Sequence, residues 1–255
     1  MNSFMRALAF LTIIPLPFVH FSSDGKELSA SAAAFPLAGA TIGLVLAGTG
    51  WLLTQVFPLP AVIVILLFLN FLLTRGLHFD GLADTADGLI GTTSREKAFQ
   101  AMSDSAIGVM GAVVLLLVTL LKIFLLIETG VELLPLLLLL MPVAGRWSIV
   151  FSGAWFGPAR EKGLGDLFLR GLSPLILLKA SLAAVMIIAL IIWFLPGLAF
   201  PVIVGMLAAL LTSYLLSFYA ARRLGGISGD ILGAANEIGE LLLLVGFYLA
   251  WQLLI

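Results

Sequence analysis

The chain has no cysteine, so disulfides, thiolate metal sites and cysteine nucleophiles are excluded, and nothing in it reports a redox compartment. Histidine is almost as scarce: His20 and His78 leave little room for a zinc site. Charge is sparse as well, with Asp, Glu, Lys and Arg making up 11% of 255 residues against 62% hydrophobic residues. That is too little polar surface to cover a water-soluble globule of this size, so lipid has to be the solvent. The 13 Lys and Arg nearly cancel the 14 Asp and Glu, so net charge gives no argument for nucleic acid or an acidic partner. No Gly-x-x-x-x-Gly-Lys-Ser/Thr loop occurs, which excludes an NTPase of that kind.

What is abundant is long apolar stretches. A helix crossing the hydrocarbon core needs about 20 mostly apolar residues. Seven segments qualify: about 33 to 57, 60 to 77, 107 to 127, 133 to 153, 174 to 195, 198 to 220 and 236 to 255. The first 19 residues superficially resemble a secretory signal, but Pro15 and Pro17 break the apolar stretch and no small-x-small site follows closely. An interfacial or partly embedded N-terminal helix fits better. The expected fold is therefore all-α, a polytopic bundle of about seven transmembrane helices plus that N-terminal segment, with residues 1–255 forming one enzyme domain.

The junctions sort into two kinds. Those around Val56–Pro60, Glu128–Glu132 and Leu195–Ala199 are short and lack Lys and Arg; the others carry Lys26, Arg95, Lys97, Arg160, Lys162, Arg170, Arg222 and Arg223, with Arg75, Arg146 and Lys179 at their edges. The positive-inside rule makes the second kind cytoplasmic. Lys122 is read as lying within a span near its outer end, where its ammonium can snorkel. Twelve of the 14 acids share the basic side. No midplane set of ionisable residues of the transporter kind is evident, so an enzyme working at the cytoplasmic surface fits more easily. Gly39 and Gly43, four apart, allow close helix packing.

The most informative stretch runs from Arg75 to Gly91. Asp80, Asp84 and Asp87 are spaced by four and three, which on an α-helix puts all three carboxylates on one face. Such a stack repels itself and raises its own pKa values. A hard divalent ion removes the objection, because Mg²⁺ takes oxygen ligands and shares one or two carboxylates with substrate phosphates. Asp104, ahead of the third span, either caps that helix or supplies a fourth carboxylate. His78, beside the cluster, reads as a hydrogen-bonding or packing group, or as a base. From Arg222 to Glu240 a basic pair, a glycine-rich loop, Asp230, Glu237 and Glu240 follow one another, a combination able to offer N–H groups to phosphate and carboxylates to metal or proton. Arg146, Arg160 and Lys162 are natural phosphate binders. Carboxylates for Mg²⁺ beside arginines for phosphate are the equipment of phosphoryl transfer.

These residues resemble the cobalamin synthases, or adenosylcobinamide-GDP ribazoletransferases. The resemblance spans essentially the whole chain: Phe10–Pro17, Gly76–Gly88, Asp104–Gly108, Gly145-Arg146, Ala159-Arg160 with Gly163–Gly165, and Arg223–Asp230 with Gly233-Ala234. It departs at Ile13 and Ile14, where a basic residue is expected before the proline, which weakens any phosphate-binding role for that segment. The resemblance implies that a hydroxyl of α-ribazole, or of its 5′-phosphate, attacks the β-phosphorus of adenosylcobinamide-GDP with Mg²⁺ required and GMP leaving, at a cytoplasmic membrane of a bacterium or archaeon. Under it, Asp80, Asp84, Asp87 and Asp104 hold metal, one of Asp84, Asp87 or Asp104 accepts the proton, and Arg146, Arg160, Arg223, Asp230 and Glu237 engage substrate. Self-association, or a complex with other late-pathway enzymes, stays open. Two other classes compete. A CDP-alcohol phosphatidyltransferase also uses spaced aspartates, but Asp84-Thr-Ala-Asp87-Gly88 is not followed by its Ala-Arg and two further aspartates. A Mg²⁺ or small-solute transporter is the non-enzymatic alternative.

Overall fold

In the computed structural model, residues 3–16, 19, 21, 25–160 and 163–254 are described; Pro17, His20 and Lys162 lie outside the described residues. The described residues are helical throughout, apart from turns and one isolated bridge. The order is α1 (Ser3–Leu11), α2 (Lys26–Ser31), α3 (Phe35–Leu53), α4 (Leu59–Leu73), α5 (Leu77–Leu89), α6 (Arg95–Ala101), α7 (Val109–Gly153), α8 (Leu164–Gly171), α9 (Pro174–Phe194), α10 (Ala199–Leu224) and α11 (Gly229–Gln252). Five helical stretches are long and apolar enough to cross a membrane, or six if α4 and α5 count together. The protein is a multi-pass membrane bundle.

The expected seven spans map onto this with four differences. The first span is continuous from Lys26 through α3. The second stops at Leu73, because α5 turns 91° away from α4. At 13 residues, about 20 Å long, α5 is not itself a span. Third, α7 runs through both the third and the fourth expected spans, 45 residues with a non-helical Gly130 (φ 79°, ψ 173°) inside. Lys122 and Arg146 show what happens there, since both reach the same carboxylate, Glu240. In an uninterrupted helix they would stand about 36 Å apart. The chain therefore doubles back at Gly130 into two legs packed side by side. The last helix also begins earlier than expected, at Gly229.

Packing follows the small residues. At Gly43, on α3, an added Cβ would fall 2.7 Å from Leu139 Cα, so the second leg of α7 can lie against α3 only because glycine is there. In α9 only Ala180 and Ala184 are buried, while outward residues such as Trp193, 81% exposed, offer an apolar face suited to lipid. α1 is nine residues long, with Ala7, Leu8 and Leu11 buried, and its Arg6 pairs with Glu27 of α2 at 3.1 Å. It is too short to cross a bilayer.

Lys122 does not snorkel. Its Nζ, in a side chain only 2% exposed, donates to Glu237 Oε2 at 2.7 Å and Glu240 Oε2 at 2.8 Å, while Arg146 donates to Glu240 Oε1 at 2.6 Å. Asn236 Nδ2 bridges both glutamates at 3.1 and 3.3 Å. An ionisable set thus does sit inside the bundle, where spacing alone showed none. Two cations and two carboxylates balance, which is how buried charge is tolerated in a bundle core. Breaking such a set strands a charge: Glu240→Ala, which leaves Arg146 without its carboxylate, is expected to cost about 3–5 kcal/mol. Thermal unfolding of purified protein in detergent reads this directly, and a loss below about 1 kcal/mol would mean that the cluster is hydrated, not dry.

Candidate active site

α5 carries the aspartates, and two glycines decide where it lies. It crosses α11 at Gly81 and Gly233, where an added Cβ on Gly81 would fall 2.8 Å from Asp230 O and one on Gly233 would fall 3.2 Å from Gly81 Cα. This contact sets Asp80 and Asp84 beside Asp230 in the first turn of α11. A loop bridge adds the next wall: Ile227 N donates to Gly157 O at 2.9 Å and Ala159 N to Ile227 O at 2.8 Å. Arg160 is thereby brought to a small cleft that it lines together with Asp230 and Ser228.

The three aspartates of α5 do not share one role. Asp80 and Asp84, with Asp104, line a cavity of about 830 Å³ whose other walls include Phe71, Arg75, Phe79 and Ile107. Asp87 lines a separate cavity of about 380 Å³ with Asp104, and it also has a structural task. Its carboxylate accepts from Gly108 N and Gly111 N, both at 2.8 Å, and so caps the N-terminus of α7 from another helix. Asp104, one of the residues expected to cap that helix, instead accepts from Ala106 N at 3.0 Å in a local turn and remains exposed.

Several predicted phosphate and substrate contacts fall elsewhere. Arg146 is 0% exposed and Glu237 2%; both belong to the buried ion cluster and face none of the cavities around the aspartates. Arg223 donates to Leu89 O and Thr92 O, fastening the C-terminal end of α5. Arg160 donates to Phe99 O at 2.7 Å and Ser103 Oγ at 3.0 Å, with its guanidinium 4.0 Å over the Phe99 ring, yet it still borders the Asp230 cleft. The cation that does line the wide cavity is Arg75, which also donates to Phe10 O at 3.1 Å. Its backbone has a positive φ, 55°, at the bend between α4 and α5. The signal that could have singled it out was its place at the head of the aspartate motif.

The electrostatics follow from the crowding. Partial burial, then the neighbouring carboxylates Asp80, Asp230 and Asp87, push the Asp84 carboxyl up to about 7. Burial, together with the cations Arg146 and Lys122, holds His78 well below the usual imidazole range, so it is a poor proton acceptor. Among the described residues no three His, Asp or Glu side chains converge into a closed metal cage. The charged donors at the cavity are nonetheless carboxylate oxygens, in the small number that Mg²⁺ takes when phosphates and water complete its shell.

Two outcomes follow. Asp87→Ala is expected to cost about 1–2 kcal/mol of stability through the lost cap, and Asp104→Ala close to nothing, as measured by thermal unfolding. For Asp84 the folded state raises the pKa from 3.8 to about 7, so folding favours the protonated form. This carboxyl therefore costs nothing below the lower value and destabilises progressively as pH rises through the upper one. The unfolding midpoint of metal-free protein should fall over that window, Asp84→Asn should flatten the fall, and added Mg²⁺ should oppose it. A wild-type midpoint that is already flat there would contradict the crowding.

The profile of the cobalamin-5-phosphate synthase family matches residues 3–248. Among curated proteins, the chain is 39% identical to the adenosylcobinamide-GDP ribazoletransferase of Roseiflexus sp. (strain RS-1) over 94% of this chain and 86% of that one. It is 36% identical to the enzyme of the same name from Geotalea daltonii over 94% of both chains, and 34% identical to that of Caldanaerobacter subterraneus subsp. tengcongensis over 97% of this chain and 98% of the relative. No solved structure matches. With the aspartate helix, the glycine crossing and the arginine-bearing loops all inside the matched region, the chain belongs to the cobalamin-5-phosphate synthase family.

Proposed function

We propose that this protein is an adenosylcobinamide-GDP ribazoletransferase of vitamin B12 biosynthesis, joining the phosphocobinamide part of adenosylcobinamide-GDP to α-ribazole or its 5′-phosphate and releasing GMP. Family membership supports the activity, and the observation that carries the site is the wide cavity lined by Asp80, Asp84, Asp104 and Arg75.

The oxygen-rich lining and the crowded Asp84 carboxyl fit Mg²⁺, which Asp80 and Asp84 would hold together with phosphate oxygens and water. Bound there, Mg²⁺ supplies charge neutralisation for the diphosphate and for the departing phosphate of GMP. The chain's own groups do the remainder. Arg75 offers a forked donor to phosphate oxygens at the cavity wall. With Asp84 engaged by the metal, Asp104, the exposed carboxylate lining the same cavity, is the one left to accept the proton of the attacking ribose hydroxyl. As the new bond to the β-phosphorus forms, the bond from that phosphorus to the bridging oxygen breaks, and the electron pair leaves with GMP. Asp87 and Arg223 act one step back: the first ties α5 to α7, and the second fastens the end of α5 to the turn before α6.

Arg75, Arg95, Arg160 and Arg223 gather at the same end of the bundle as the aspartates, bonded to segments that flank them. By the positive-inside rule this supports a cytoplasmic membrane with the site facing the cytoplasm. A transporter reading draws no support from the buried ion cluster, since its two cations are each matched by a carboxylate and the cavities at the aspartate end are lined by none of its members.

The test supplies purified protein in detergent or liposomes with adenosylcobinamide-GDP and α-ribazole, with and without Mg²⁺, and follows GMP and the cobalamin product. Equal, Mg²⁺-dependent formation of both is expected, with Asp84→Asn lowering kcat by about 100-fold or more. No product from folded wild-type protein would overturn the assignment. Near-normal turnover by folded Asp84→Asn would remove Asp84 from the site.

A further inference from the structure

A second cavity stands beside the wide one. It is a slot of about 250 Å³, and the two share Leu77 and Asp80 as a common wall. Three near-parallel phenylalanines border it: Phe35 stacks on Phe10 at 6.2 Å and 15°, and on Phe168 at 5.6 Å and 11°. Leu11, Ile149 and Leu232 complete an apolar interior. The polar lining is confined to His78, Asp80 and Asp230. His78 is 3% exposed as a residue and lines the slot as its one imidazole. An imidazole on the wall of an otherwise apolar slot offers a hydrogen bond to a ligand atom there.

We propose that this slot receives the aromatic base of the ribazole acceptor, with His78 hydrogen-bonded to the ring nitrogen that does not carry the sugar. The proposal rests on the ribazoletransferase reading and adds the place and chemistry of acceptor recognition. Size supports it: sites for drug-sized ligands run about 300–1,000 Å³, so 250 Å³ admits a flat two-ring base and excludes a corrin ring, which is left to the wide cavity. Chemistry separates the two bases in the reaction. A guanine inserted here would press its carbonyl and amino edge against Leu11, Ile149 and Phe35, leaving polar groups unpaired. A benzimidazole presents a hydrocarbon edge to those residues and one bare ring nitrogen to His78. Both rim carboxylates, Asp80 and Asp230, also line a neighbouring cavity, so they stand at the mouths of the slot and not in its depth. The ribose then leaves the slot at Asp80, in reach of the diphosphate in the wide cavity.

The experiment uses full-length protein in detergent and measures two things: α-ribazole binding, followed by benzimidazole fluorescence without the corrinoid, and separate KM values for the two substrates. Ile149→Phe, which fills the slot, is expected to raise the Kd and KM of α-ribazole by about tenfold or more and to leave the KM of adenosylcobinamide-GDP unchanged. His78→Leu should do the same, and His78→Gln, which keeps a donor, should restore much of the loss. Should these variants fail to fold, wild-type protein given a series of ribosides decides: dimethylbenzimidazole riboside should be used at the lowest KM, and purine ribosides at about tenfold higher or worse. A shift in the KM of adenosylcobinamide-GDP alone would assign the slot to guanine and overturn the proposal, as would unchanged ribazole values in both variants. Ribazole binding that is lost in Ile149→Phe, in a protein that yields no product, would sustain the slot and sink the ribazoletransferase reading. Turnover without slot dependence would do the reverse.

Discussion

The rest of the structure depends on a buried exchange of charge. Glu240, at the middle of the last helix, takes Arg146 from one leg of the long α7 hairpin and Lys122 from the other. In a bilayer an unpaired charge at that depth is costly, so the three helices have few registers available to them: a slip of one turn would leave each ion facing hydrocarbon. That register propagates. The start of α11 is fixed, and with it Asp230 and Gly233; Gly233 admits Gly81, and Gly81 places Asp80 and Asp84. The chemistry at the end of the bundle is held in place by electrostatics in its middle.

Acidic residues that look alike in sequence are divided by their surroundings into distinct tasks. Asp87 meets the free N–H groups at the start of α7 and accepts from two of them. Asp84 meets other carboxylates and partial burial, and its proton is held more firmly. Asp104 is exposed on a loop that lines the same cavity, its own turn satisfied locally. The arginines divide in the same way. Arg223 and Arg160 fasten backbone carbonyls around the site, Arg146 serves the core, and Arg75 remains at the cavity wall, so positive charge builds the site as much as it serves it.

Much of this was legible before any coordinates. Apolar runs broken at Glu128–Glu132 and Leu195–Ala199 show where spans end, because only lipid can solvate such stretches. The four-and-three spacing of Asp80, Asp84 and Asp87 shows a shared helix face, because helical periodicity is local. Asp87's capping role was not visible, since its partners Gly108 and Gly111 lie more than twenty residues away. Lys122 was misread for the same reason. A lysine near a span end ordinarily snorkels, and only packing against α11 reveals two glutamates within 2.8 Å.

The sequence by itself determined that this is a helical membrane protein, where most of its apolar stretches lie, that its aspartates share one segment with glycines suited to close contact, and which family its motifs follow. Each of these rests on composition, periodicity or short spacing, all of which act along the chain. Tertiary structure alone decided that Asp80 and Asp84 line the wide cavity while Asp87 caps a helix, that the α7 hairpin closes around Glu240, and that a slot of phenylalanines opens beside Asp80. Those depend on contacts between helices distant in sequence, where burial and partner geometry, not residue type, set what each side chain is free to do.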